Sequence, residues 1–221
     1  MRPLYDITPF TTVDFPDHLA AIAWFSGCNL RCQYCYNPDI VLSSGRLTVE
    51  DFQNFLITRQ GLLDGVVLSG GEPLRYASIQ AMAQWIKSQN FALKIDTNGT
   101  YPQVLKRMLD EDLVDTVALD FKALRHQWEN VTGRWEGYYD HFEQTLRVLI
   151  KAKIRYEVRM TLHPSLISPD DLDHMVQYLR DQGYCSPIYV QRYRHYPTLG
   201  EMEDVPMDQW EQYRHCDVVW R

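Results

Sequence analysis

A chain of 221 residues, 45% hydrophobic and 23% charged, has the length and composition of one globular domain with a full core. Its formal charge of −7, with no basic run, argues against a nucleic-acid partner, and no apolar stretch approaches a membrane span. The opening segment lacks the apolar core of a signal peptide, which predicts a cytoplasmic protein; in that reducing setting clustered cysteines read as metal ligands or catalysts rather than disulfides.

The predicted elements alternate along the chain. Short apolar runs of the kind that form strands buried on both faces are "LAAIAWF" ending at Gly27, "GVVLSGG" from Gly65, "FALKIDTNG" from Phe91, "DTVALDFK" from Asp115, "RYEVRMTL" from Arg155 and "SPIYVQRY" from Ser186. Helical patterns fall between them: "TVEDFQNFLITRQ", with Thr48 as N-cap and Asp51 three residues on, then "ASIQAMAQWIKSQ", "YPQVLKRMLDE", "YYDHFEQTLRVLIKA" and "SPDDLDHMVQYLRDQG". In the last, Ser168 can cap, Pro169 suits the first turn and Gly183 can close the end. Six strands alternating with helices predict an α/β fold of parallel βα units, either a partial (β/α)6 TIM-like barrel or a flat doubly wound sheet. The whole of 1–221 reads as one domain, with a core over about 15–195 and a C-terminal extension, 196–221, expected to add a packed helix.

Polar residues gather where the strands end: Cys28 after the first, Ser69, Gly70, Gly71 and Glu72 after the second, Asp96, Thr97, Asn98 and Gly99 after the third. Asp120 and Lys122 follow the fourth, Arg159 the fifth, Gln191 and Arg192 the sixth. In parallel α/β folds this edge carries the ligand site.

The densest signal is "GCNLRCQYCYNP", residues 27–38, with cysteines at 28, 32 and 35. Three thiolates on one short loop suit a [4Fe–4S] cluster with one iron left open to bind a substrate or cofactor. Other readings are a zinc site completed by a distant histidine, or incidental thiols. Cys185 and Cys216 stand apart. "LSGGEP", 68–73, offers adjacent glycines that admit a close backbone approach, and Glu72 can accept from an ammonium. Asp96 and Asp120 are acids on successive buried strands, each in need of a partner, and Lys122 can pair with one of them.

The C-x3-C-x2-C loop, with Tyr34 before its last cysteine, resembles the radical S-adenosylmethionine superfamily. The resemblance implies a [4Fe–4S] cluster on Cys28, Cys32 and Cys35 whose open iron chelates S-adenosylmethionine. One electron then cleaves the sulfonium to a 5′-deoxyadenosyl radical. It also implies Tyr34 beside the adenine and Ser69, Gly70, Gly71 and Glu72 around the methionine amino group. "KIDTNGT" and "LDFK" are similar to the activating enzymes of glycyl radical enzymes, above all the short subfamily of anaerobic ribonucleoside-triphosphate reductase activating proteins. That likeness spans most of 10–195. It implies Asp96, Thr97 and Asp120 as ligands of a monovalent cation, Lys122 at the cofactor carboxylate, and Asn98, Arg159 and His174 near the cofactor. The implied partners are a glycyl radical enzyme of the ribonucleotide reductase or pyruvate formate-lyase type, as protein substrate, and a flavodoxin or ferredoxin as electron donor.

Asp17 stands where that family has a glycine after "VDFP", and Tyr36 where a histidine is common. With two cysteines outside the loop, a single cluster is expected. Asp14 and Phe15 are candidates for partner contact. Two other functions fit part of the pattern: a radical enzyme acting on a small molecule or peptide, of the carboxy-deazaguanine synthase kind, or a non-enzymatic iron–sulfur or zinc module. A small-molecule site needs further convergent polar groups, for which Arg192, Tyr193 and His195 are the candidates.

Overall fold

Each of the six apolar runs forms a strand in the computed structural model, which describes residues 2–133, 135–193, 197–203, 205, 206, 210 and 213–221. They are β2 (Ala20–Phe25), β3 (Gly65–Gly70), β4 (Ala92–Thr97), β5 (Thr116–Asp120), β6 (Arg155–Leu162) and β7 (Ile188–Arg192), all parallel. Two further strands flank them. β1 (Leu4–Thr11) runs antiparallel to β2, and β8 (Val218–Trp220) runs parallel to β7. The order in space is β1 to β8 without a reversal. A doubly wound sheet reverses its strand order at a switch point, whereas a barrel steps round in sequence. The unbroken order therefore makes this an open, partial barrel, in which β1 and β8 are the two ends of the sheet and do not pair with each other among the described residues.

The pleat sorts each strand into two faces. On β3, Val66 and Leu68 face outward into the main core, while Val67 faces inward with Ala20, Ile22 and Phe15. The outer core lies beneath α2 (Val49–Ile57), α3 (Ile79–Ser88), α4 (Pro102–Asp110), α6 (Tyr138–Lys151) and α7 (Pro169–Asp181). Phe15, 2% exposed, plugs the end of the barrel where the strands begin. A Cβ on Gly65 would lie 2.9 Å from its ring. Phe15 is thus a packing residue rather than a partner contact.

Local signals work as the residue types dictate. Thr48 and Asp51 form a capping box on α2, and Ser168 and Asp171 form another on α7, with Pro169 at its start. Two short helices, α1 (Pro38–Leu42) and α5 (Trp128–Thr132), complete the set named here. The C-terminal extension joins the barrel through β8 and through the fully buried Trp210; much of the helix expected there lies outside the described residues. No helix among those described is long and apolar enough to cross a membrane.

Asp17 occupies the left-handed region, φ 71°, which explains a glycine preference at this turn. Aspartate tolerates that conformation better than most residues. We expect Asp17→Ala to cost about 1 kcal/mol and Asp17→Gly to be tolerated, read by chemical denaturation. The Asp17–Arg155 ion pair is exposed on both sides and adds little to this comparison.

Candidate active site

The C-terminal mouth of the barrel holds a cavity of ≈ 260 Å³. Its wall includes Cys28, Cys32, Tyr34 and Cys35 from the cysteine loop, Ser69 and Gly70 at the end of β3 with Gly71 after it, Asp96, Thr97 and Asn98 from β4 and its loop, Asp120 and Lys122 from β5 and its loop, Arg159 from β6 and Gln191 from β7. Six chain segments therefore converge on one space, as the strand-end pattern requires.

Backbone hydrogen bonds hold the cysteine loop in place. Arg31 N and Gln33 N donate to Thr132 O and Val131 O at the end of α5, at 2.7 and 3.0 Å. Leu199 N and Gly200 N donate to Cys35 O and Gln33 O from the other side. Behind the loop, Glu72 N donates to Gly27 O at 3.0 Å and Gly71 N to Phe25 O at 2.8 Å. A Cβ on Gly71 would sit 2.0 Å from Gly27 O, and one on Gly70, at φ 110°, 2.6 Å from Phe25 N. Gly71 is required first by the approach of the cysteine loop at Gly27, and Gly70 by the backbone of β2, before any ligand is considered.

Cys32 is buried, and Cys28 and Cys35 are half-buried. Burial pushes Cys28 up to about 11, reinforced by the charge of Glu72. Burial pushes Cys32 up to about 12 although Lys122 opposes it. Such sulfurs become thiolates only when a cationic centre binds them. Leu30 N lies 3.4 Å from Cys28 Sγ and Asn98 Nδ2 lies 3.6 Å from it, donors directed at the sulfur. Among the described residues, His215, Cys216 and Asp217 are the group of three whose ligand atoms crowd within 4.8 Å of one another; the loop cysteines are spaced more widely. One tetrahedral zinc, with bonds of about 2.3 Å, needs sulfurs closer than that. The wider spacing fits a multinuclear centre.

Across the cavity runs a ladder of charge on the inward faces of β4, β5 and β6. Arg159 Nε donates to Asp120 Oδ1 at 3.0 Å and its NH1 lies 3.4 Å from Asp96 Oδ2. Lys122 Nζ donates to Asp120 Oδ2 at 3.0 Å. Burial alone would raise Asp120, but Arg159 and Lys122 outweigh it and hold the carboxyl below its usual range. Burial would lower Lys122, but Asp120 outweighs it and keeps the ammonium charged. Arg159 sits mid-strand rather than at the end of β6, in register with Asp120.

Tyr34 is buried, its hydroxyl has no hydrogen-bond partner among the described residues, and Lys122 Nζ lies 5.8 Å from its ring centre. Asn98 and Asn29 join the loop to β4: Asn98 Nδ2 donates to Asn29 Oδ1 at 3.1 Å and Asn29 Nδ2 to Thr100 Oγ1 at 2.9 Å.

Several sequence expectations are corrected. Glu72 does not line the cavity. Its carboxylate accepts from Leu74 N, Thr97 Oγ1 and Asn98 N, so it braces the loop instead of facing an ammonium. Thr97 Oγ1 is committed to Glu72, on the opposite face of β4 from the Asp96 side chain, so Asp96, Thr97 and Asp120 do not form one ligand set. His174 is exposed on α7, opposite the face that buries Leu172, Met175 and Val176, and away from the cavity lining. Arg192 lies over Trp220 and Tyr193 is buried beside His163, neither on the cavity wall; His195 lies outside the described residues. Asp14 does reach the wall, as do Trp24, Thr161 and Gln191.

Burial pushes Glu72 up to about 7, against the pull of its three hydrogen bonds. Because the folded value lies above the ordinary one, the unfolded chain releases this proton first. Stability is full below the ordinary carboxylate value and is lost as pH rises toward 7. We expect this group to cost on the order of 3 kcal/mol by pH 8 relative to pH 4.5. Thermal denaturation across that range checks the slope, which Glu72→Gln is expected to flatten.

A loop of three thiols at the C-terminal mouth of an open βα barrel, facing a wall of paired charges, is the donor set of a metal-cluster enzyme site. The sequence profile of the Radical SAM superfamily matches residues 22–183, and the chain belongs to that superfamily. It is 28% identical over 222 residues to a protein of Methanocaldococcus jannaschii assigned as a glycyl-radical enzyme activating enzyme, covering 96% of this chain and 89% of that one. It is also 28% identical to the pyruvate formate-lyase 1-activating enzyme of Escherichia coli, covering 92% and 83%. Among solved structures, Streptococcus suis SuiB bound to S-adenosylmethionine matches with a TM-score of 0.65 at 14% identity, covering 90% of this chain and 51% of that one. The enzyme anSMEcpe with bound AdoMet matches with a TM-score of 0.62 at 16% identity, covering 76% and 49%. The chain thus spans about half the length of these solved structures, which share its fold.

Proposed function

We propose that this protein is a radical S-adenosylmethionine activase that acts on a glycine of a partner glycyl radical enzyme. The observation that carries the reading is the three-thiol loop set at the mouth of a barrel whose sheet is open between β1 and β8. The likeness to activating enzymes over nearly the full chain supports it.

The donor set fits a [4Fe–4S] cluster, with Cys28, Cys32 and Cys35 as its protein ligands. When bound, the cluster supplies one electron, from a flavodoxin- or ferredoxin-type donor, to cleave S-adenosylmethionine, so that a hydrogen atom can be taken from the glycine Cα. The chain's own residues orient and exclude water. Lys122 and Arg159 carry positive charge toward the cofactor carboxylate. Tyr34 offers a buried ring and an unpartnered hydroxyl to the adenosine half. Ser69, Gly70 and Gly71 present backbone rather than side chain at the methionine end. No general base is needed, because a hydrogen atom moves rather than a proton.

The test is anaerobic. The reconstituted, reduced protein, S-adenosylmethionine and each glycyl radical enzyme of the host are mixed and examined by electron paramagnetic resonance. A glycyl doublet on one partner is the expected result. Cofactor cleavage with no glycyl signal on any of them sinks the activase reading and leaves a small-molecule or peptide substrate.

A further inference from the structure

The residues that the family resemblance assigns to a free monovalent cation do not fit one in this chain. We propose that Lys94 takes the place of that ion, as an ammonium tethered to the barrel wall. Lys94 lies on β4 two residues before Asp96, so both side chains share the inward face. Its side chain is 2% exposed and its Nζ bonds to Asp96 Oδ1. The other oxygen of Asp96 receives Ser69 Oγ at 3.1 Å and faces Arg159 NH1 at 3.4 Å. Both oxygens of Asp120 are met as well, by Arg159 Nε and by Lys122 Nζ.

Every carboxylate oxygen that would coordinate a hard cation therefore already has a donor. Three fixed cations, Lys94, Lys122 and Arg159, face Asp96 and Asp120; Glu157, two residues before Arg159 on the same face of β6, adds a third acid and is itself paired with Arg221 at 3.2 Å, so four cations meet three acids and leave the cluster at +1 before any ion enters. Adding an alkali ion would raise this to +2 in a buried place, without free oxygens to repay its dehydration. The excess charge is matched instead by an anion, such as the carboxylate of an amino-acid cofactor; this last step rests on the proposed function. An ammonium carries the same charge as potassium and directs it by hydrogen bonds. Tethering it removes the need to recruit an ion from solution.

The experiment uses the purified full-length protein in potassium, sodium or tetramethylammonium chloride at equal ionic strength. Two quantities are read in each salt: melting temperature and S-adenosylmethionine affinity by equilibrium dialysis of the cluster-loaded protein. Wild type is expected to melt alike and to bind alike within about twofold in all three. Lys94→Met is expected to bind at least about tenfold more weakly in tetramethylammonium. Potassium, but not tetramethylammonium, is expected to raise its melting temperature and restore binding. A wild-type requirement for potassium in either readout overturns the proposal, and so does a Lys94→Met protein indifferent to the salt. If Lys94→Met does not fold, the wild-type comparison decides alone: indifference supports the proposal and a potassium requirement overturns it. Should no S-adenosylmethionine bind in any salt, the proposed function fails, while the melting temperatures still decide on Lys94.

Discussion

Replacing any one of Cys28, Cys32 and Cys35 with alanine is expected to strip the bound iron and reduce S-adenosylmethionine cleavage to background. Loss of an outer hydrogen-bond partner of a ligand typically costs 10–100-fold in metal affinity, and loss of a ligand from a set of three must cost more. The readouts are iron and sulfide content and the thiolate-to-iron band in the visible spectrum after anaerobic reconstitution. The fold itself is expected to survive. The loop is clamped by backbone bonds to Val131, Thr132, Leu199 and Gly200, and burial keeps Cys28 and Cys32 protonated when no metal draws the proton off. Far-ultraviolet circular dichroism of Cys32→Ala should therefore match wild type. Cys185→Ala and Cys216→Ala supply the control. Both thiols are exposed and absent from the cavity wall, so either variant should keep its iron and its activity. Iron lost from Cys216→Ala, and kept in Cys32→Ala, would move the metal centre to the crowded His215, Cys216 and Asp217 group.

The loop was legible because its signal is local: three cysteines in eight residues need no tertiary information. The six central strands were legible for a related reason. Strands covered on both faces must be apolar almost throughout, as β3 and β5 are. β1 escaped because it is an edge strand with only its two end residues buried, so "LYDITPFT" carries no continuous apolar run. β8 is three residues long, in a tail whose aromatic content suggests packing of any kind. Barrel and flat sheet could not be separated, since local patterns do not state which strands are neighbours. At the site, the acids on β4 and β5 were read correctly as needing partners. The choice between a lysine and a free ion was not legible until Lys94 was seen on the same face as Asp96, although its place in the apolar run "ALKIDT" was a signal for a buried, paired ammonium. His174 failed for a simpler reason. Counting along a chain fixes a helix, but one residue of error turns a side chain through about 100° and so from the cavity to the solvent.

Arg159→Met is expected to destabilise the protein by about 3–5 kcal/mol, the usual cost of removing one partner from a buried charge cluster. The guanidinium bridges two acids from neighbouring strands, Asp96 and Asp120, in a side chain only 15% exposed. Methionine fills the volume but leaves Asp120 with Lys122 alone and Asp96 with Lys94 and Ser69. The loss is of charge rather than of packing, which a second variant tests. Asp120→Asn placed in the Arg159→Met background removes the acid that the arginine neutralised. The double variant should therefore be less destabilised than the sum of the single changes, with a coupling of the 0.5–3 kcal/mol found between residues in one network. Acid titration gives an independent reading. Asp120 is held below the usual carboxylate range, so its contribution is complete above the ordinary aspartate value of about 4 and fades as pH falls through the lower folded value. Wild type should lose stability over that interval, and Arg159→Met should lose much less of it. Urea midpoints between pH 2.5 and 5 make the comparison. Parallel slopes in the two proteins would mean that Arg159 acts by filling space, and that the charged wall opposite the cysteine loop is not held by the pairing described here.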